Sequence, residues 1–138
     1  MNRERAAVGV PPLVWSDTLA ADAKAWADYE ASLNRSFHST DAERGPIGET
    51  IAEWGPRNPI EDVNVTLMPM LNYWINEKNL YHGETIDSTN YLIFGHYTQI
   101  VWRTTTEIGC GMATGSNGND FLVCRYSPMG NVIGQAPY

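Results

Sequence analysis

The sequence is poor in basic residues. It holds nine Lys and Arg against sixteen Asp and Glu, which gives a net charge of −7 at pH 7. The basic residues are spread along the chain and form no run. A nucleic-acid-binding domain needs a clustered basic face, and electrostatic attachment to anionic lipid needs a polybasic segment. We therefore expect neither partner, whereas a neutral lipid is compatible with this composition.

Long apolar stretches are also missing. No stretch approaches the roughly 20 apolar residues that a membrane-spanning helix requires. Met1 to Arg5 is a polar, charged start that leads directly into Ala6 and Ala7, so it does not resemble a signal peptide. We interpret Met1 as an expression start on a trimmed, mature chain.

Cysteine is scarce, with only Cys110 and Cys124. A bridge between them would close a short loop and stabilise the fold by roughly 3 kcal/mol in the chain-entropy model. The alternative is two buried free thiols in a reducing compartment. A cysteine metal site is disfavoured, because neither residue has a His or a second Cys at ligand spacing.

Apolar residues are plentiful in contrast, at 43% of the chain, and 11% of the residues are aromatic. This content predicts one globular domain over residues 1–138. Asp17 is predicted to cap a helix that runs to about Leu33. Residues 34–47 are loop-like, and a short strand is predicted at Glu49–Ala52.

A second helical region is predicted from Ile60 to Leu80, where Pro69 either begins a helix or kinks a longer one. A surface loop follows over 81–90, and a short helix is predicted over 95–104. Two strands, 108–113 and 121–126, flank a Gly- and Asn-rich turn and predict a hairpin that brings the cysteines together. Helices early and strands late indicate an α+β domain with helices packed on a small antiparallel sheet.

Two of the three histidines and two carboxylates stand out as candidates for chemistry. His38, Glu49, Glu77 and His96 each lie beside apolar or aromatic residues. Such residues bind a divalent metal or act as general acid and base. The alternative is that each is a lone polar side chain with a local partner, because their spacing alone does not bring them together.

Two segments resemble the signatures of a known family. Residues 95–105 (GHYTQIVWRTT) and 121–132 (FLVCRYSPMGNV) are similar to the two signatures of the CAP superfamily, the cysteine-rich secretory, antigen five and pathogenesis-related proteins. Asn2 with Arg5 also fits the early helix of that family. Residues 48–51 (GETI) resemble its Gly-Glu-Asn-Ile motif, with Thr50 where Asn is usual. The resemblance covers essentially the whole chain.

The resemblance implies a three-layer α-β-α sandwich with a small central antiparallel sheet and a large cleft. By motif, His38 and His96 would be ligands for zinc or another divalent cation. Glu49 and Glu77 would orient them or hold a metal-bound water, and these two are the candidates for any catalytic role. Tyr97 and Gln99 are expected in the cleft wall.

The remaining candidates are weaker. His82 matches no family motif and is assigned to the surface loop, and Ser39 is not expected to act as a nucleophile, since no oxyanion arrangement is visible. The family pattern places a disulfide between the two C-terminal strands, which fits Cys110 and Cys124. That pairing indicates an extracellular or periplasmic location, and a monomer is expected.

Three functions follow from the resemblance. The first is a binding module for a small apolar ligand, a sterol or fatty acid, or for a target protein. Residues 91–94 (YLIF) would give such a ligand apolar surface, or would simply belong to the core. The second is a metal-dependent hydrolase, a peptidase or esterase, that uses the cleft. The third is a secreted effector whose cleft is vestigial.

Overall fold

The computed structural model describes all 138 residues. The chain forms five α-helices, one 3₁₀ turn and four strands. In chain order these are α1 (Asn2–Ala7), β1 (Val14–Trp15), α2 (Asp17–Leu33), α3 (Asp41–Arg44), β2 (Gly48–Trp54), α4 (Asn64–Asn76), the 3₁₀ turn Glu77–Asn79, α5 (Tyr91–Ile100), β3 (Glu107–Thr114) and β4 (Asp120–Ser127). None of the helices combines the length and apolar character that crossing a membrane would need.

The four strands form one sheet in the order β1-β3-β4-β2. The three long strands are antiparallel, as predicted, and the two residues of β1 pair with β3 in parallel. Cys110 stands directly opposite Cys124 in the β3–β4 hairpin, and the two are joined by a disulfide. The predicted bridge is confirmed, and no free thiol is left. β2 is an edge strand, and this edge carries the candidate site.

Helices cover both faces of the sheet, which confirms the α-β-α sandwich. Helix α2 packs against β3 and β4 on one face, and α4 and α5 pack on the other. Alternation along β4 divides its side chains between these layers. The main core, to which α4 and α5 contribute, contains Leu122, Cys124 and Tyr126 of β4. Val123 packs with small residues of α2.

Helix α2 approaches the sheet closely because β3 has glycine where the two meet. A Cβ added at Gly109 would lie 2.1 Å from the backbone nitrogen of Ala20, and one at Gly111 would lie 2.4 Å from the Cα of Lys24. Both contacts are with backbone atoms, so a side chain there would push the whole helix away. The glycines therefore set the spacing between the layers.

The beginning of α2 and the segment after it differ slightly from prediction. Ser16, and not Asp17, caps α2, since its hydroxyl accepts the N–H of Leu19 at 3.2 Å. The predicted loop 34–47 contains the short helix α3, which a reciprocal capping box between Thr40 and Glu43 stabilises. The predicted strand at Glu49–Ala52 extends over Gly48–Trp54 because β4 pairs with its whole length.

The bounds of the two later helices differ from the prediction, since α4 begins and ends inside the predicted region 60–80 and α5 begins before residue 95. Pro69 lies inside α4, which already starts at Asn64, so the longer-helix alternative is the one observed. Helix α5 runs over Tyr91–Ile100 and not over 95–104, with a break in helical geometry at Phe94. It ends early because Arg5, which is fully buried in α1, donates hydrogen bonds to the carbonyls of Ile100 and Trp102, as well as to two others.

Candidate functional site

A cleft of about 490 Å³ opens at the β2 edge of the sheet. The start of β2, the segment before it, helix α5 and the C-terminal tail enclose the cleft. Its floor is polar and includes His38, Glu49, His96 and Gln99. Its rim is apolar and consists of Tyr91, Leu92, Met129 and Ile133, all of which are exposed. Imidazoles that are 58 positions apart in the sequence thus share one solvent-accessible hollow.

His38 forms the first of two histidine–carboxylate pairs. Its Nδ1 lies 2.8 Å from Oε1 of Glu49, and its side chain is 54% exposed. The Glu49 side chain is fully enclosed. In the neutral ring, Nδ1–H donates a hydrogen bond to the ionised carboxylate of Glu49, and the lone pair of Nε2 is left free. Nε2 of His38 has no hydrogen-bond partner.

Glu49 is kept ionised by the groups around it. The hydroxyl of Ser39 donates to Oε2 at 2.7 Å, and the guanidinium groups of Arg44 and Arg125 lie at 3.4 and 3.1 Å. Burial raises the pKa of Glu49, but the hydrogen bonds from His38 and Ser39 and the charge of Arg44 outweigh it and hold the pKa below its usual value. Glu49 therefore stays ionised near neutral pH and acts only as a hydrogen-bond acceptor.

His96 forms the second pair, in the opposite layer. Its Nδ1 lies 2.7 Å from Oε2 of Glu77, whose Oε1 accepts the backbone N–H of Tyr97 at 3.1 Å. The ring of Trp74 stacks on the imidazole, with centroids 5.8 Å apart and planes 18° apart. This ring is less exposed than that of His38, and its Nε2 is likewise unpartnered. Glu77 lies behind His96 and does not itself line the cleft.

The two pairs share one arrangement, in which Nδ1 of the histidine is hydrogen-bonded to a glutamate. A buried carboxylate fixes the orientation and tautomer of each ring and leaves Nε2 as the free nitrogen, as is usual for metal-binding histidines. The donor set therefore fits a divalent metal that prefers imidazole nitrogen, such as zinc. No three His, Cys, Asp or Glu side chains stand close enough together to hold a metal by themselves. Further ligands would have to come from water or from a bound molecule.

The other predicted residues take different places. Gln99 lines the cleft, where its Oε1 accepts the N–H of Gly130 at 3.0 Å. The ring of Tyr97 is buried in the main core, and only its backbone N–H supports the cleft, through Glu77. Ser39 is buried and hydrogen-bonded to Glu49, while His82 is exposed in the loop. Of residues 91–94, only Phe94 belongs to the core.

Sequence reasoning missed the two arginines that fix Glu49. Arg44 is the last residue of the short helix α3, whose Thr-x-x-Glu capping box is visible in the sequence at Thr40–Glu43. Arg125 lies within the second signature segment, and its neighbours in β4 are almost all buried. A charged residue in such a strand signals a buried partner. That signal identifies Arg125 as a structural cation but does not name Glu49 as its partner.

The comparison with protein families agrees with this geometry. The model of the cysteine-rich secretory protein family, CAP, matches residues 1–126. The chain is a member of the CAP family. Pathogenesis-related protein 1C of Nicotiana tabacum is 37% identical to this CAP domain over 137 residues, which are 99% of the chain and 76% of the relative. The domain is thus of the pathogenesis-related 1 type.

Solved structures share the CAP fold. BmVAL-1 superposes with a TM-score of 0.77 and is 29% identical, over 92% of this chain and 64% of its own. NaASP2, solved with Zn²⁺, gives the same TM-score at 22% identity, over 94% of this chain and 66% of its own. At that identity the second likeness concerns the fold alone.

Proposed function

We propose that this CAP domain is an extracellular binding module whose cleft binds a divalent metal, zinc above all, through Nε2 of His38 and Nε2 of His96. One observation carries the proposal: both rings line the same cleft, and each has its Nδ1 on a buried glutamate. Two protein nitrogens leave coordination positions for outside ligands, so the metal would supply a Lewis-acidic point on the cleft floor. NaASP2, of the same fold, was solved with Zn²⁺.

The rim of the cleft favours a small apolar ligand with a polar end, such as a fatty acid or a sterol. Leu92 is 73% exposed and Ile133 is 62% exposed, and both face a polar floor. Exposed apolar residues that border a polar hollow are typical of ligand sites. The apolar part of the ligand would cover the rim, and its polar end would reach the histidines.

The hydrolase alternative receives less support. A general base needs a carboxylate with a free oxygen and a pKa near the working pH. Both oxygens of Glu49 and both of Glu77 already accept hydrogen bonds within the protein. The Ser39 hydroxyl is committed to Glu49 and is buried. Binding therefore fits the geometry better than peptide or ester hydrolysis.

An extracellular location is part of the proposal. A disulfide persists in oxidising compartments, and the curated relatives include plant pathogenesis-related proteins. The periplasmic alternative receives no support from these relatives.

Isothermal titration with zinc tests the metal site. Zinc is expected to bind the wild type, with at least a hundredfold loss in His38→Ala and His96→Ala. Glu77→Gln should weaken binding by roughly ten- to hundredfold, because it only orients the ring. His82→Ala is the matched control, since its imidazole lies outside the cleft. Equal zinc affinity in wild type and His96→Ala would refute the metal site.

Fatty-acid and sterol binding is tested separately. Leu92→Ser and Ile133→Ser should each weaken binding several-fold. Ile60→Ser is the control, because Ile60 is 90% exposed and lies outside the cleft. Loss of binding in the control alone, or in none of the variants, would show that the rim is not the lipid site.

A further inference from the structure

A second hollow, of about 500 Å³, lies between α2 and α3 and shares only Arg44 with the cleft. One face of α2 contributes four residues at positions i, i+3, i+4 and i+7, and the segment around α3 and strand β4 complete the hollow. The lining residues are Asp22, Ala25, Trp26, Tyr29, Glu43, Arg44, Ile47 and Arg125. This combination of aromatic rings and charges of both signs differs from the histidine floor and apolar rim of the cleft.

Arg125 lines this hollow and has one guanidinium nitrogen without a hydrogen-bond partner. The residue is only 8% exposed, and its Nε and Nη2 are bound to Glu49 and Ser39. Its Nη1 makes no hydrogen bond, yet this atom is not sealed from solvent. A guanidinium N–H in a partly enclosed site binds an oxyanion strongly, since charge-assisted hydrogen bonds are the strong ones. Carboxylate and phosphate oxygens are the acceptors that suit it.

The α2 side of the hollow suits a cation. Tyr29 is 49% exposed, and its ring packs edge-on against Trp26 at 5.3 Å. The indole N–H of Trp26 donates to the carbonyl of Phe37, which fixes the plane of the ring. Aromatic faces attract ammonium groups, and quaternary ones above all. Asp22 also lines the hollow and is exposed, and its carboxylate has no hydrogen bond or ion pair. The carboxylate of Glu43, in contrast, accepts a hydrogen bond from the backbone N–H of Thr40.

We propose that this hollow binds a small zwitterion of the phosphocholine class, with its oxyanion on Arg125 and its quaternary ammonium against Tyr29 and Trp26 beside Asp22. A plain anion would face Asp22 and Glu43, and a plain cation would face Arg44 and Arg125. A molecule that carries both charges on a short linker complements both sides. The volume lies within the range of small-molecule sites.

Titration with free phosphocholine, choline and inorganic phosphate tests the zwitterion. Phosphocholine is expected to bind at least tenfold more tightly than either half. Comparable affinity for choline alone, or for phosphate alone, would overturn the proposal, as would no phosphocholine binding at millimolar concentration. Co-sedimentation with phosphatidylcholine vesicles then identifies the source: capture indicates a lipid headgroup, and binding of free phosphocholine without capture indicates a soluble ligand.

Variants locate the site. Tyr29→Leu and Asp22→Asn change exposed side chains and should fold normally, and each is expected to lower phosphocholine affinity by roughly threefold or more. Arg125→Gln should lower it by more than tenfold. Glu107→Gln, an exposed carboxylate elsewhere, is the control, and His96→Ala should retain binding. Unchanged affinity in both Tyr29→Leu and Asp22→Asn, or loss in His96→Ala, would overturn the assignment.

Discussion

Glu30 is a buried carboxyl whose replacement by glutamine should make the protein more stable in alkaline solution. The residue lies on α2 and is completely buried. Its Oε2 accepts the backbone N–H of Phe37 at 2.9 Å, but its Oε1 has no partner. An ionised carboxylate in such a place loses its hydration, and hydrogen bonds from the protein replace only part of the lost stabilisation. Glutamine has nearly the same shape as the neutral carboxyl group, and its side chain does not ionise.

The magnitude follows from the pKa. Burial raises the pKa of Glu30 from 4.5 to about 7, and the hydrogen bond from the Phe37 N–H offsets only part of that rise. Between these two pH values the folded state keeps a proton that the unfolded state has released. The stabilisation is therefore complete below pH 4.5 and is lost as the pH rises through 7. The full loss corresponds to roughly 3 kcal/mol, at about 1.4 kcal/mol per tenfold change in proton affinity.

Urea unfolding at pH 5 and at pH 8.5 measures the effect. Glu30→Gln should exceed the wild type by about 2 to 3 kcal/mol at pH 8.5 and lie within about 1 kcal/mol of it at pH 5. Glu107→Gln, which changes an exposed carboxylate without contacts, should follow the wild type at both values. If Glu30→Gln and the wild type lose stability in parallel between these pH values, Glu30 does not carry the buried proton and the reasoning is refuted.

Three further predictions concern stability and are measured by urea unfolding. Arg5→Met removes a guanidinium that satisfies four backbone carbonyls and should cost at least about 3 kcal/mol; a cost below about 1 kcal/mol would contradict this role. Replacing Cys110 and Cys124 together by Ala should cost roughly 3 kcal/mol, and addition of reductant to the wild type should reproduce the loss. Gly111→Ala should cost about 1 to 3 kcal/mol, because its Cβ would meet the backbone of Lys24; unchanged stability would show that α2 moves freely.

The fold was predictable where local signals are strong. Helix α2 carries an apolar stripe and an N-cap residue, and the prediction errs by one position. The hairpin combines two short, largely apolar segments with a Gly- and Asn-rich turn, and both strands match the prediction within one residue at each end. Strand β1 was not predictable, because two residues are too few to show the alternation of apolar and polar side chains that marks a strand. It exists only through its pairing with β3.

The site was predictable only through the family signatures. Nothing in the spacing of His38 and His96 brings them together, since they belong to opposite layers and meet at an edge strand. Tyr97 illustrates the limit of motif transfer, because its ring lies in the core and its backbone supports Glu77. Arg125 illustrates the reverse case, because this signature position, for which the sequence predicted no role, contacts Glu49.

Glu49 connects the two hollows. Its carboxylate accepts from His38, which faces the cleft, and from Arg125, which faces the hollow beside α2. A ligand that draws either side chain toward itself changes the charge that the carboxylate offers to the other. Linkage requires such an effect to be reciprocal, so a zwitterion that tightens zinc binding must itself bind more tightly when zinc is present. The buried glutamate would therefore couple the two proposed sites by the same contacts that orient the His38 imidazole.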